Sequence, residues 1–329
     1  MGMSNQQRPL GTGFTPFTTA EEVLRGLDLT GKNVIVTGGY GRLGLETTRA
    51  LAKVGASVTV AGRDLERARQ AIEGIERAEA SQLDLGDRKS IDDFATRWNA
   101  SNRPLHVLVN NATPRPSPAH VLDARGYEIQ FATSHLGHFQ LTLALLPALR
   151  AAHGARVVNL SSGAQRFGVM RWDDLHFAKG GHDGLAAYAQ VKRANVLFTV
   201  ELDRRFAEEG IRSFAVHPGV IVDPQPPGAP RFESYRRQGL LDETGQPIID
   251  PERGKKSLKQ GASTIVFAAA SPLLAGIGGV YLKDNDVSRI DDEPRPLTAD
   301  SIPSEITSGS IDPEAAKRLW EVSAELLAR

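Results

Sequence analysis

Tyr188 and Lys192, four residues apart, carry the chemistry that is simplest to state. On a helix that spacing puts both side chains on one face, one turn apart. An ammonium beside a phenol stabilises the phenolate and lowers the tyrosine pKa toward neutrality, as a general acid or base requires. Upstream, Ser161-Ser162 closes a β-rich run and offers a hydroxyl to hold a substrate oxygen. A Tyr and a Lys at this spacing arise often by chance, so the pair gains meaning only from what precedes it.

What precedes it is Thr37-Gly38-Gly39-Tyr40-Gly41-Arg42-Leu43-Gly44, which follows an apolar run and opens a helical pattern. Glycines at a strand-to-helix turn let backbone N–H groups approach a diphosphate, and the helix N-terminus supplies positive potential. The second strand ends at Ala61-Gly62-Arg63-Asp64. A carboxylate at its tip would accept hydrogen bonds from an adenosine ribose and mark NAD. Gly62 holds the first tip position instead, and the Arg63 guanidinium beside it can fork onto a 2′-phosphate, which favours NADP over NAD. Asp64 is either a ribose acceptor or the cap of a helix beginning at Leu65; capping is the favoured reading.

These residues need a frame that brings strand ends together. Short β-rich runs at residues 33–37, 57–61, 81–84, 106–110, 156–161, 212–217 and 279–282 alternate with helical patterns near 43–54, 65–78, 89–99, 119–150, 185–209 and 256–270. Val34-Ile35-Val36 and Val107-Leu108-Val109 are apolar on both faces, as strands covered by helices on both sides must be. Strict alternation predicts a doubly wound, seven-stranded parallel sheet between two helical layers. Two long segments interrupt the rhythm, residues 163–184 and 223–253, where the sheet's C-terminal edge would hold a substrate pocket. Residues 1–30 read as an extension with a short helix capped near Thr18-Thr19, residues 31–290 as the nucleotide-binding domain, and residues 291–329 as a second extension with a helix capped by Asp312-Pro313.

Composition narrows the function. The chain has 329 residues, 39 basic and 39 acidic side chains and no cysteine. No cysteine means no disulfide scaffold, thiolate metal site or cysteine nucleophile. The balanced charge argues against nucleic-acid or anionic-membrane partners and reads as that of an ordinary soluble protein. Residues 1–10 are polar, so a secretory peptide is not expected. The uncharged stretch 261–282 is broken by Ser271-Pro272 and by Gly276, Gly278 and Gly279, and reads as buried helix, turn and strand; a cytoplasmic location is expected. His135 and His138 have the helical spacing of a metal pair but no evident third ligand, so they read as packing residues and no metal is expected.

Taken together, the chain resembles the short-chain dehydrogenase/reductases, in the subgroup of the retinol-dehydrogenase-like oxidoreductases. The resemblance runs from about Thr19 to Ile290 and rests on the glycine turn, Leu108-Val109-Asn110-Asn111-Ala112, His135-Leu136-Gly137-His138-Phe139, Val158-Asn159-Leu160-Ser161-Ser162, Tyr188 to Lys192 and His217-Pro218-Gly219. It implies a Rossmann-type fold, with Ser162 and Tyr188 catalytic and Lys192 binding the nicotinamide ribose while tuning Tyr188. It implies a diphosphate held by Gly38, Tyr40, Gly41, Arg42, Leu43 and Gly44, with Arg63 at the 2′ position. Asp84 and Leu85 would take the adenine, Asn111-Ala112 the adenosine ribose, and Pro218, Gly219 and the backbone through Ile221 the nicotinamide carboxamide. It suggests a homodimer packed through the helices at 119–150 and 185–209.

Five departures fall near that site. Arg42 stands where the family has its middle glycine, and would either reinforce phosphate binding or crowd the diphosphate. Thr113 replaces a glycine at the pocket. Ser134 replaces the Asn that orients a proton-relay water, but keeps a hydroxyl able to hold one. Val191 replaces a small Ser beside Lys192. Asp223 replaces a Thr at the pocket; it would face the nicotinamide or point to solvent. The expectation is an NADP-dependent oxidoreductase acting on a hydroxyl or carbonyl of a small, fairly apolar metabolite. The alternatives are a non-redox enzyme on the same scaffold (lyase, dehydratase, epimerase or cyclase) and a non-catalytic nucleotide-binding protein.

Overall fold

The computed structural model of the chain describes residues 6–298 and 300–329. The polar start expected at residues 1–5 lies outside them. Eight strands form one sheet in the order β3-β2-β1-β4-β5-β6-β7-β8: Asn33–Thr37, Ser57–Gly62, Ala78–Gln82, Val107–Asn110, Ala155–Leu160, Ile211–His217, Val280–Lys283 and Asp286–Val287 for β1 to β8. Seven are parallel, as the alternation requires, and the order reverses between β1 and β4. The eighth was not expected. It pairs antiparallel with β7 through a two-residue turn at Asp284-Asn285, both at positive φ (51° and 62°), the geometry a tight hairpin demands.

Alternate residues of β1 serve two cores. Val34 and Val36 pack with Leu51 of α2 (Arg42–Lys53) and with Ile265 and Val266 of α10 (Leu258–Ala270). Ile35 faces the opposite side with Phe94 of α4 (Arg88–Ala100) and Phe139 of α6 (Gly137–Ala144). The uncharged stretch 261–282 resolves as expected into the rest of α10, a turn and β7, and among the described residues no helix is long and apolar enough to cross a membrane.

Three expected elements differ. The helix at 65–78 ends early, as α3 (Leu65–Ala71), because Gly74 and Arg77 take positive φ and turn the chain into β3. That strand lies at 78–82 rather than 81–84; it is an exposed edge, and the apolar Leu83 and Leu85 follow it and pack against α4 instead. The single helix at 119–150 is in fact several pieces. Asp123 and Gly126 form a turn, Glu128 caps α5 (Ile129–Phe131), residues Ala132–Leu136 are a π-helical turn, and α6 gives way to α7 (Leu146–Ala151), which carries Pro147 in its first turn. Another unexpected element, α9 (Phe232–Arg237), lies inside the insert at 223–253.

The C-terminal helix α11 (Pro313–Ala328) is capped by Asp312 as expected and packs on α8 (Gly184–Phe206). Trp320 stacks among Phe139, Phe198 and Phe206, the Ser323 hydroxyl meets His135, and the Tyr127 hydroxyl donates to the Leu326 carbonyl at 3.0 Å. The chain's own helix therefore covers part of the α6–α8 surface through which a homodimer was expected to pack.

Candidate active site

The C-terminal ends of β1, β4, β5 and β6 open onto one crevice. At β1 the chain turns through Gly38, with φ of +61°, into α2. A β-carbon at Gly44 would lie 2.5 Å from the Gly38 carbonyl oxygen, so only glycine lets the helix come this close. Helices α3, α4, α8, α10 and α11 all begin under a side-chain cap, whereas α2 begins at Gly41 with none. Its first N–H groups therefore offer a main-chain cradle for an anion. The Tyr40 ring lies over Gly62 with the Arg67 guanidinium 5.8 Å from its centroid. Arg63 is exposed at the tip of β2, and Asp64 caps α3 by accepting from the Arg67 N–H at 3.0 Å, the role preferred for it. At the tip of β3 the Asp84 carboxylate accepts from the Gly86 N–H at 2.9 Å, and Leu85 is buried against Gly137.

Asn111 does not present its amide to the crevice. Its Nδ2 donates to the Thr37 carbonyl at 2.8 Å, which locks the end of β4 to that of β1. The Thr37 hydroxyl accepts from the Asn111 and Ala112 N–H groups at 2.9 and 3.0 Å. His138 completes the tie: its Nδ1 lies 3.1 Å from the Ser134 carbonyl and its Nε2 2.8 Å from the Thr37 hydroxyl. A carbonyl only accepts, so Nδ1 carries the proton. Burial lowers the imidazole pKa to about 4, leaving it neutral, so Nε2 accepts from Thr37.

Tyr188 and Lys192 share one face of α8, and Ser162, just past the end of β5, hydrogen-bonds Tyr188. Lys192 is buried, and its Nζ donates to the Leu160 carbonyl at 3.1 Å, on the last residue of β5. The Asn195 amide donates to the same oxygen at 2.9 Å, and the Ser161 hydroxyl donates to the Lys192 carbonyl at 2.8 Å. This stitching holds α8 against the strand end. Nζ sits 5.3 Å from the centroid of the Tyr188 ring, and burial lowers its pKa to about 8. The Tyr188 phenol departs from expectation: burial raises its pKa, and the hydrogen bond with the Ser162 hydroxyl draws it part of the way back. Ser162 also accepts from the Ala164 N–H at 3.2 Å. The next residue is held from outside: the Gly163 N–H donates to Nδ1 of buried His217 at 3.1 Å, and burial lowers that imidazole to about 3.

Four of the five departures meet in pairs. The Thr113 and Ser134 hydroxyls are 2.7 Å apart, Ser134 lying in the π-helical turn. Arg42 forms an ion pair with Asp223, whose other oxygen accepts from Arg115 Nη2 at 3.1 Å. Asp223 is thus held by two guanidiniums instead of pointing freely to solvent. Val191 is buried in the core beneath α11. Pro218 is half-buried, Gly219 takes φ of +87° against the Lys256 stem, and Ile221 packs on Gly261 of α10. Trp172 anchors the first insert, with the Arg318 guanidinium of α11 4.5 Å from its ring. Arg115, His217 and Arg67 escaped the sequence reading. His217 stood in a visible motif, but nothing in the sequence ties Arg115 to Asp223, 108 residues away.

A glycine turn at the switch point of a doubly wound sheet, beside a Ser, a Tyr and a Lys at the neighbouring strand ends, defines the class of dinucleotide-dependent α/β oxidoreductases. Residues 32–225 match the short chain dehydrogenase family, and the chain belongs to it. It is 41% identical over 307 residues to a Streptomyces lividans protein named "Probable oxidoreductase", covering 92% of this chain and 99% of that one. It is 34% identical to human retinol dehydrogenase 12, over 92% of this chain and 88% of the relative, which places it with the retinol-dehydrogenase-like members. The fold matches a crystal structure of an uncharacterised protein from Mycobacterium paratuberculosis with a TM-score of 0.69 at 29% identity, covering 92% and 96% of the two chains. Membership makes the protein a hydride-transfer oxidoreductase and implies a nicotinamide cofactor. The uncapped start of α2 and the close approach at Gly44 fit a dinucleotide's diphosphate.

Proposed function

We propose that the protein is an NADP(H)-dependent oxidoreductase that interconverts a hydroxyl and a carbonyl on a small, fairly apolar molecule, with Tyr188 as general acid and base. The observation that carries this reading is the convergence of Ser162, Tyr188 and Lys192 at the end of β5, next to the glycine turn. Residues 38–44 would hold the diphosphate, Arg63 the 2′-phosphate, Asp84 and Leu85 the adenine, and residues 218–221 the nicotinamide end. When bound, the nicotinamide supplies or accepts the hydride.

In the reductive direction the Ser162 and Tyr188 hydroxyls donate to the substrate carbonyl oxygen. Tyr188 then passes its proton to that oxygen as negative charge develops there. A phenol raised by burial remains protonated at neutral pH, so the proton is in place, but it is the weaker acid for it and needs its phenolate stabilised. Lys192, fixed on the Leu160 carbonyl, offers the ammonium that favours the phenolate left behind. The Thr113–Ser134 hydroxyl pair supplies the polar end of a route by which that proton is restored. Exposed Phe167, Val169 and Leu185, on the segments that flank Ser162 and Tyr188, favour an apolar substrate.

The test is incubation with NADPH and a panel of aldehydes and ketones, followed by loss of the reduced-nicotinamide absorbance. Turnover that Tyr188→Phe abolishes while NADPH still binds is the expected result. Tight NADPH binding with no oxidation across the panel would sink it.

A further inference from the structure

The Arg42–Asp223–Arg115 cluster joins three segments that are distant in sequence: the glycine turn after β1, the loop after β4 and the insert after β6. In the sheet, β1 and β6 are separated by β4 and β5. Three strand intervals amount to about 14 Å. An ion pair from the β1 turn to the segment after β6 therefore crosses the crevice above the ends of β4 and β5, where Asn111 and Ser162 lie.

The insert is fastened on its near side. The Val220 N–H donates to the Gly254 carbonyl at 2.8 Å and the Lys256 N–H donates to the Val220 carbonyl at 2.9 Å. Asp223 comes just beyond that fastening. Phe232, Leu240 and Leu241 of the insert are buried. Across the crevice, besides the Asp223 pairs, the described residues give it one longer polar contact, Arg231 Nη2 to the Pro116 carbonyl at 3.5 Å. Asp223 is thus its main electrostatic tether to the opposite wall.

Resting on the dinucleotide site proposed above, we propose that Arg42 and Arg115 are two arms of a diphosphate clamp for which Asp223 is an internal competitor. Arg42 is the first residue of α2, at the uncapped N–H groups that fit the diphosphate. Two guanidiniums against one carboxylate leave the cluster a net cation, suited to a doubly charged diphosphate. Asp223 and the diphosphate cannot both take the same donors of Arg42. Dinucleotide binding therefore displaces the carboxylate, unfastens the insert from the far wall, and so couples cofactor entry to opening of the substrate pocket. Arg115 becomes a cofactor-binding residue, and Asp223 a positioning residue that acts through the two arginines.

The test measures NADPH, NADP+ and ADP-ribose binding by calorimetry, and tryptic cleavage at Arg236 and Arg237, in the full chain. Asp223→Asn should tighten all three ligands by about tenfold, and equally, since ADP-ribose carries the diphosphate without the nicotinamide. Arg115→Ala should weaken all three severalfold. NADPH should speed cleavage of the wild-type insert, whereas Asp223→Asn should be cut fast with or without it. Unchanged or weaker ADP-ribose binding by Asp223→Asn overturns the proposal. So does a selective loss of NADP+ affinity, which would mean that the carboxylate serves the oxidised ring. If the wild-type chain binds none of the three, the dinucleotide site itself falls; if it binds them and the variants behave as wild type, only the clamp falls.

Discussion

The two halves of the crevice are built by different means. On the β1 side, the proposed dinucleotide cradle comes mostly from main chain and from neighbours in sequence: Gly38 and Gly44 within one turn, Asp64 capping its own helix, Asp84 bonding Gly86. On the β5–β6 side, the proposed catalytic residues are held by partners far along the chain. The loop after Ser162 is belted by the C-terminal extension: the Gln165 amide donates to the Glu305 carbonyl at 2.8 Å, and Arg166 reaches the Asp291 and Glu293 carbonyls at the same distance. Glu305, ion-paired with Lys283, has its carboxyl lowered to about 2 despite its burial. A cradle made locally tolerates changes elsewhere, while a catalytic edge made from remote contacts inherits every weakness of the segments that hold it.

The sharpest way to separate the halves is Tyr188→Phe, which should lower kcat by about a thousandfold while leaving the NADPH Kd within about twofold. Steady-state turnover set against a direct binding titration checks it, and a large loss of cofactor affinity would blur the distinction. On the other side, Gly44→Ala forces a methyl onto the Gly38 carbonyl. It should cost on the order of 1–3 kcal/mol in denaturant stability, and weaken NADPH more than tenfold. Arg63→Ala should weaken NADPH by about tenfold with NADH unaffected, which calorimetry with both cofactors would show.

Titration offers a subtler comparison. Lys192 has a folded pKa of about 8, below the value in an unfolded chain, so it loses its proton first in the folded state. Reduction should therefore decline above about pH 8 as the ammonium beside Tyr188 disappears, a limb that Lys192→Arg would shift upward. His135, His138 and His217 are buried and lowered to about 3, 4 and 3. The unfolded chain binds their protons more readily, so stability is full above the ordinary imidazole value and falls as pH drops toward these folded values. Each contributes a slope of up to about 1.4 kcal/mol per pH unit there, visible as a falling Tm in acid. His217→Asn should reduce that slope and loosen the Ser162 loop without moving NADPH affinity.

Much of this was legible before any coordinates. The two-faced apolarity of β1 and β4, the glycine turn, the Thr19 and Asp312 caps and the Tyr188–Lys192 spacing are local signals, and each element stands where they put it. The Asp284-Asn285 turn was equally local, and two turn-forming residues between short runs would have given the eighth strand. The broken helix at 119–150 was harder, since its apolar residues continue through the π-helical turn and periodicity does not register one inserted residue.

By itself, the sequence determined the doubly wound sheet, the glycine turn and the spacing of Tyr188 and Lys192, because those rest on interactions within a few residues. Only the tertiary structure decided that Asp223 meets Arg42 and Arg115, that Thr113 meets Ser134, that α11 covers α8, and that burial raises the Tyr188 phenol. Those outcomes depend on which distant surfaces fold together and how much water they exclude, and no local pattern of residue types encodes either.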